Sequence, residues 1–195
     1  MTLSIAVLAM IFATILGTLA AIGIYSMKKR PQAVMMTLTT LPNTMPDIVT
    51  GISLMLLFLF TKINRGYLTM LLAHITFDTP YVILSVLPKL KQMNKHTYEA
   101  ALDLGATPTY ALTHVIIPEC MPGIITGAML AFTLSLDDFT ISYFTTTPLV
   151  QNLSTLIYSA ARRGIEPSLN ALSALMFIAL LVLLLIVNRR TAENN

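Results

Sequence analysis

The sequence predicts an all-α, polytopic membrane bundle of about five transmembrane helices, forming a single transmembrane domain over residues 1–195. Three observations carry this. Hydrophobic residues make up 55% of the chain and charged residues 11%, too little charge for a water-facing surface. Mean hydropathy is +0.76. Apolar stretches of about 20 residues, the length needed to cross a hydrocarbon core as a helix, recur along the chain. The same composition excludes disorder and collagen-like repeats. The net charge of +3 is too small for a nucleic-acid footprint. Cys120 is alone and the three histidines are scattered, so no disulfide framework or zinc spacing exists.

The expected spans cover residues 4–26, 34–60, 66–88, 120–145 and 168–188. The first and last are plain apolar segments. The second is expected to break at Pro42 and Pro46 and the third at Pro80, and the fourth carries Asp137 and Asp138. The first segment reads as a retained span, because Lys28, Lys29 and Arg30 follow it whereas a signal peptide is basic before its apolar region. Basic residues near span ends accumulate on the cytoplasmic side. Lys28, Lys29, Arg30, Lys89, Lys91, Lys95, Arg189 and Arg190 fall on one side, and Lys62, Arg65, Arg162 and Arg163 on the other. This puts the N-terminus outside, and residues 89–119 and the C-terminus in the cytoplasm.

Residues 89–119 are too polar to cross a bilayer and read as two short helices hinged at a glycine. The first carries Tyr98, Leu102 and Leu104 among Glu99, Ala100, Ala101 and Asp103 and stops at Gly105. The second starts after Pro108 and is expected to end at Pro118. No Gly-x-x-x-x-Gly-Lys-Ser/Thr loop occurs, so the chain carries no phosphate-cradling nucleotide site of that kind.

Glu99-Ala100-Ala101, then Gly105, then Val115-Ile116-Ile117-Pro118 resembles the EAA loop of bacterial ABC-importer permeases, with Val115 and Ile117 replacing the usual Ile and Leu. Pro46-Asp47-Ile48-Val49, His74-Ile75-Thr76-Phe77 and Phe132 through Asp138 are similar to the PotC-type permeases of spermidine/putrescine importers. The resemblance runs from about residue 4 to residue 188. It implies a type I importer permease fold with a coupling loop at about 89–119. It also implies docking of Glu99, Ala100, Ala101, Gly105 and Pro118 on a cytoplasmic ABC ATPase that binds and hydrolyses the ATP. The further partners it implies are a second permease subunit and an extracellular or periplasmic substrate-binding protein, in a bacterial cell membrane. Against the family's six-span plan, the chain is expected to lack the first transmembrane helix.

Carboxylates at bilayer depth cost about 3 kcal/mol each on insertion scales, so they are expected to face a polar cavity. Asp47 falls on a polar and small stripe with Thr40, Thr44 and Gly51; Thr133, Asp137 and Thr140 share one face, and Ser135, Asp138 and Ser142 the next. Asp47, Ser135, Asp137 and Asp138 are therefore the candidate substrate-pathway residues, suited to the protonated amines of a polyamine. His74 and Asp78, four residues apart, are expected to form a local structural pair, with a proton relay between them as the alternative, and Gly123 and Gly127 to permit close helix packing. The methionines read as filler, without a metal role. The function expected is that of an ABC-importer permease for polyamines. The alternatives are a permease for another solute, an inactive truncated permease, and an intramembrane aspartyl hydrolase in which Asp47 and Asp138 share a proton.

Overall fold

A computed structural model describes residues 1–94 and 96–162, with residues 170, 171, 173–179, 181, 182 and 185 beyond them. The described elements are helices: α1 (Thr2–Ser26), α2 (Lys29–Thr44), α3 (Asp47–Phe60), α4 (Tyr67–Gln92), α5 (Thr97–Asp103), α6 (Pro108–Ala111), a π-helical turn (Leu112–Ile116), α7 (Ile117–Glu119), α8 (Met121–Asp137), α9 (Thr140–Thr145) and α10 (Leu153–Ala161). Two of these, α1 and α4, are each long and apolar enough to cross a membrane, and the bent pairs α2–α3 and α6–α8 bring the number to four if each pair is one span. The expected fifth span at 168–188, with Lys95, Arg163, Arg189 and Arg190, falls wholly or partly outside the described residues.

The core is a three-helix junction of α1, α4 and α8. Helix α1 is apolar on every side, and its buried face is set by small residues four apart, Ala9, Ala13, Gly17 and Ala21. Its other faces expose Val7, Ile11, Ile15 and Leu19, as a lipid-facing surface requires. A Cβ on Gly17 would lie 2.6 Å from Val82 Cβ, and one on Gly127 of α8 would lie 3.1 Å from Val82 Cα. Val82 is thus gripped by glycines of two helices, and the backbones approach as small-residue interfaces allow.

The junction has a definite polarity. Tyr67 Oη donates to Ser4 Oγ at 3.1 Å at one end, while Ile24, Leu90, Met93, Ile116 and Cys120 share a buried cluster at the other. Helices α1 and α4 are therefore parallel. Helix α8 is antiparallel to them, since Gly123 meets Ser85 and Gly127 meets Val82. Lys28–Arg30, following α1, and Lys89 and Lys91 in the last turn of α4 gather at the end that carries α5. Lys62 and Arg65, which precede α4, lie at the opposite end.

Four local expectations are corrected. Pro80 does not break its span, because α4 runs through Pro80 and Pro88 to Gln92; the proline removes only the N–H that would reach the Thr76 carbonyl, a loss that helices in a membrane tolerate. Pro42 lies inside α2, and the break comes at Met45–Pro46, where Met45 is extended ahead of the proline. The chain bends there by 104°, so Thr40 and Thr44 do not share a helical face with Asp47 and Gly51. Pro118 does not end the second loop helix; the widened turn at Leu112–Ile116 absorbs its missing N–H, and the helical path continues to Glu119.

Candidate functional site

The fourth expected span is interrupted where its carboxylates stand. Helix α8 ends at Asp137, Asp138 is extended, and α9 starts at Thr140. Asp138 turns inward: its Oδ1 accepts the Ile141 N–H at 3.1 Å and its Oδ2 the Ser142 N–H at 2.7 Å. These are the otherwise unpaired amides at the start of α9. Asp137, one residue earlier, is exposed. Two adjacent acids thus serve opposite sides of the helix.

Asp138 belongs to a buried polar network centred on His74 of α4. His74 Nδ1 is hydrogen-bonded to Ser135 Oγ at 2.7 Å and Nε2 to Ser142 Oγ at 2.9 Å, with Asp138 Oδ2 at 3.6 Å from Nε2. Asn152 Nδ2 donates to Ser142 Oγ and to the Asp138 carbonyl, while its Oδ1 accepts the Thr155 N–H and caps α10. His74, Ser135, Ser142 and Asn152 are each at most 3% exposed. The network therefore ties α4, α8, α9 and α10 together at the break. Ser135, Asp138 and Ser142 do converge, through the His74 ring rather than along one continuous helix face.

The expected His74–Asp78 pair does not form. His74 spends both ring nitrogens on Ser135 and Ser142, and both Asp78 oxygens are buried without a hydrogen-bond partner among the described residues. Nor do Asp47 and Asp138 share a proton: the Asp138 oxygens are taken by amides, and Asp47 stands exposed in the first turn of α3. Gly51 packs on Thr140, Ile141 and Phe144, and Met55 lines a cavity with Phe144 and Thr147. Helices α3 and α9 therefore run in the same direction, which sets Asp47 one turn back, level with the α8–α9 break.

At the other end of the bundle, α5 buries none of its residues. It presents Glu99, Ala100 and Ala101, and Glu99 makes only an exposed contact with His96 at 3.1 Å. Its stop is a glycine-dependent cap: the Gly105 N–H reaches the Leu102 carbonyl and the Ala106 N–H the Ala101 carbonyl, with Gly105 at φ +87°, the left-handed conformation that glycine adopts freely. Thr107 then caps α6 through the Tyr110 N–H. Ala101, Leu104, Gly105, Tyr110 and Val115 line an open notch of about 500 Å³, in which Leu104 is 90% exposed. Pro118 lies beyond it, exposed on α7.

Residues 13–190 match the family of binding-protein-dependent transport system inner membrane components. The chain belongs to that family. It is 40% identical over 183 residues to the putrescine transport system permease protein PotI of Escherichia coli K12, covering 90% of this chain and 65% of that protein. It is 36% identical to the spermidine/putrescine permease PotC of the same strain, over 94% of this chain and 70% of PotC. With PotC of Haemophilus influenzae the identity is 34%, over 100% and 76%. The chain spans about two thirds of the length of these relatives. Among solved structures, the inward-facing MetNI methionine ABC transporter matches at a TM-score of 0.78 and 15% identity, over 100% of this chain and 93% of that one. A structure of an amino acid ABC transporter matches at 0.67 and 19%, over 99% and 90%. The fold is that of a helical membrane permease.

For this inner-membrane component, sequence reasoning located α5 and Gly105 but missed Asn152 and the role of His74. A histidine within a membrane span is itself a signal of a polar partner. The stripe Ala9, Ala13, Gly17 and Ala21 was also readable at a spacing of four.

Proposed function

We propose that the chain is the multi-pass transmembrane subunit of a bacterial ABC importer for polyamines, spermidine or putrescine, in the inner or plasma membrane. The observation that carries this reading is the 34–40% identity to three polyamine permeases across 90% or more of the chain. Asp47 and Asp137, both exposed at helix breaks, contact the protonated amines. Ser135 and Asp138 act one layer behind by fixing the break at which Asp137 is presented. Charge-assisted contacts from separate helices suit amines spaced along a flexible chain.

An external binding protein delivers the substrate, and a second permease completes the passage. A separate cytoplasmic ATPase binds ATP and drives alternating access. It receives α5, where Ala100 and Ala101 keep the helix thin and Glu99 supplies a charge for a basic cleft. The test is ATP-dependent uptake of labelled spermidine and putrescine by the reconstituted complex. Glu99→Lys is expected to abolish uptake, and Asp47→Asn to raise KM for the amine. Unchanged uptake in both variants overturns these roles.

A further inference from the structure

Asp78 is a buried carboxyl group of the described core that the network around His74 leaves aside. It lies on α4, one turn along from His74 and one turn before Val82, where the glycines of α1 and α8 close in. It has 0% exposure, and neither carboxylate oxygen has a hydrogen-bond partner among the described residues. In the parallel α1–α4 pair, Gly17 faces Thr79 and Val82, so Thr14, one turn earlier on α1, stands at the level of Asp78. The Thr14 hydroxyl is also buried and unpartnered.

The groups that face Asp78 give it no counter-charge. Helix α1 offers Thr14 and Thr18, both unpartnered hydroxyls. Beyond the end of α8 stands Asp138, a further acid, 3.6 Å from the His74 ring one turn back along α4, while Asp137 and Asp47 of α3 are exposed. On α4 the neighbours are His74, already bonded on both nitrogens, and Tyr81. The nearest basic residue along α4 is Lys89, eleven positions on, or about 16 Å at the rise of a helix. A buried carboxylate needs a cation or donated hydrogen bonds. Asp78 has neither, and it faces further negative charge. With no exposed surface, it is reachable by only the smallest cation.

We propose that Asp78 is a buried proton-binding site, carried as the neutral carboxylic acid at the α1–α4–α8 junction. Its proton lets an acidic residue sit where two helices pack by backbone contact. Loss of that proton places an unpaired charge beside Asp138 and loosens the junction. This reading is independent of what the permease transports.

The test is infrared spectroscopy of the full chain in lipid nanodiscs at neutral pH, following the C=O stretch of a protonated carboxylic acid, which slow exchange in heavy water marks as buried. The expected result is a band that disappears in Asp78→Asn and survives in Asp137→Asn. Absence of the band in the unmodified protein, or its persistence in Asp78→Asn, overturns the proposal. Asp78→Asn mimics the neutral acid, so it is expected to insert and fold with a melting temperature like the parent's at neutral pH, and to lose less than the parent as pH is raised. A variant that fails to fold where Asp78→Glu succeeds, or a parent profile that Asp78→Asn leaves unchanged, overturns it equally.

Discussion

The buried junction around His74 and the exposed loop around Gly105 solve opposite problems with residues of similar polarity. At the junction every element brings a polar group inward: His74 from α4, Ser135 from α8, Ser142 from α9 and Asn152 before α10 are all nearly inaccessible and bonded to one another. In α5 no residue is buried, and Glu99 and Leu104 point outward without support from the bundle. The difference teaches that the polar groups around His74 are spent on one another inside, while those of α5 are offered outside. A substitution in the first region therefore acts on folding, and one in the second on whatever docks there.

Substitutions ranked by their cost in stability test that division. The largest expected cost is at Asp138, where alanine strands the Ile141 and Ser142 amides in a buried site. Two unpaired buried donors make a loss of about 3 kcal/mol the expectation, read as a lowered unfolding transition of the purified chain in detergent. Asp138→Asn keeps one acceptor and recovers part of it. If Asp138→Ala leaves the transition in place and abolishes only transport, the acid acts on substrate and the junction is not structural.

Next comes Gly17→Val, whose added carbons meet Val82 and the Thr79 carbonyl. Overpacking of this kind costs about 2 kcal/mol and is expected to lower the same transition. Gly23→Val on the same helix, where nothing lies within 4 Å of an added Cβ, is expected to leave it unchanged. Equal behaviour of the two variants breaks the claim that α1 packs through a small-residue face.

The sequence made these two regions unequally legible. The α5 loop is written locally: helix, glycine stop and second helix lie within about 20 consecutive residues, so the local pattern places the helix and its stop at Gly105, and the resemblance to the EAA loop marks Glu99, Ala100 and Ala101. The junction is written at long range, since His74 bonds to partners 61 and 68 positions away. Helical periodicity cannot reveal such pairs. It also misled where the chain departs from a helix, as at Met45–Pro46 and at Asp138, because a face drawn through 3.6 residues per turn does not survive a 104° bend. The four-residue stripe on α1 was local and readable, because close packing needs only one helix to carry the small side chains.

The smallest stability effects belong to the loop, and there the comparison is sharpest. At Gly105 an added Cβ meets nothing within 4 Å, so the only obstacle to alanine is its φ of +87°, a cost of about 1 kcal/mol that falls on the loop alone. The α1–α4–α8 junction is then expected to melt with the parent, while hydrogen exchange at the Gly105 and Ala106 amides speeds up as the cap frays. Glu99→Lys goes further in the same direction. Glu99 is 70% exposed and its ion-pair contact is with His96, itself exposed, so reversing its charge is expected to shift stability by less than about 0.5 kcal/mol. On the proposed docking of α5 in a basic cleft of an ATPase, the same variant is expected to abolish ATP-dependent uptake, because the lysine is repelled there. A Glu99→Lys chain that both unfolds and stops transporting would show that α5 is held by the bundle after all. One that folds and transports normally would move the contact with the ATPase to Leu104 and the notch beside it.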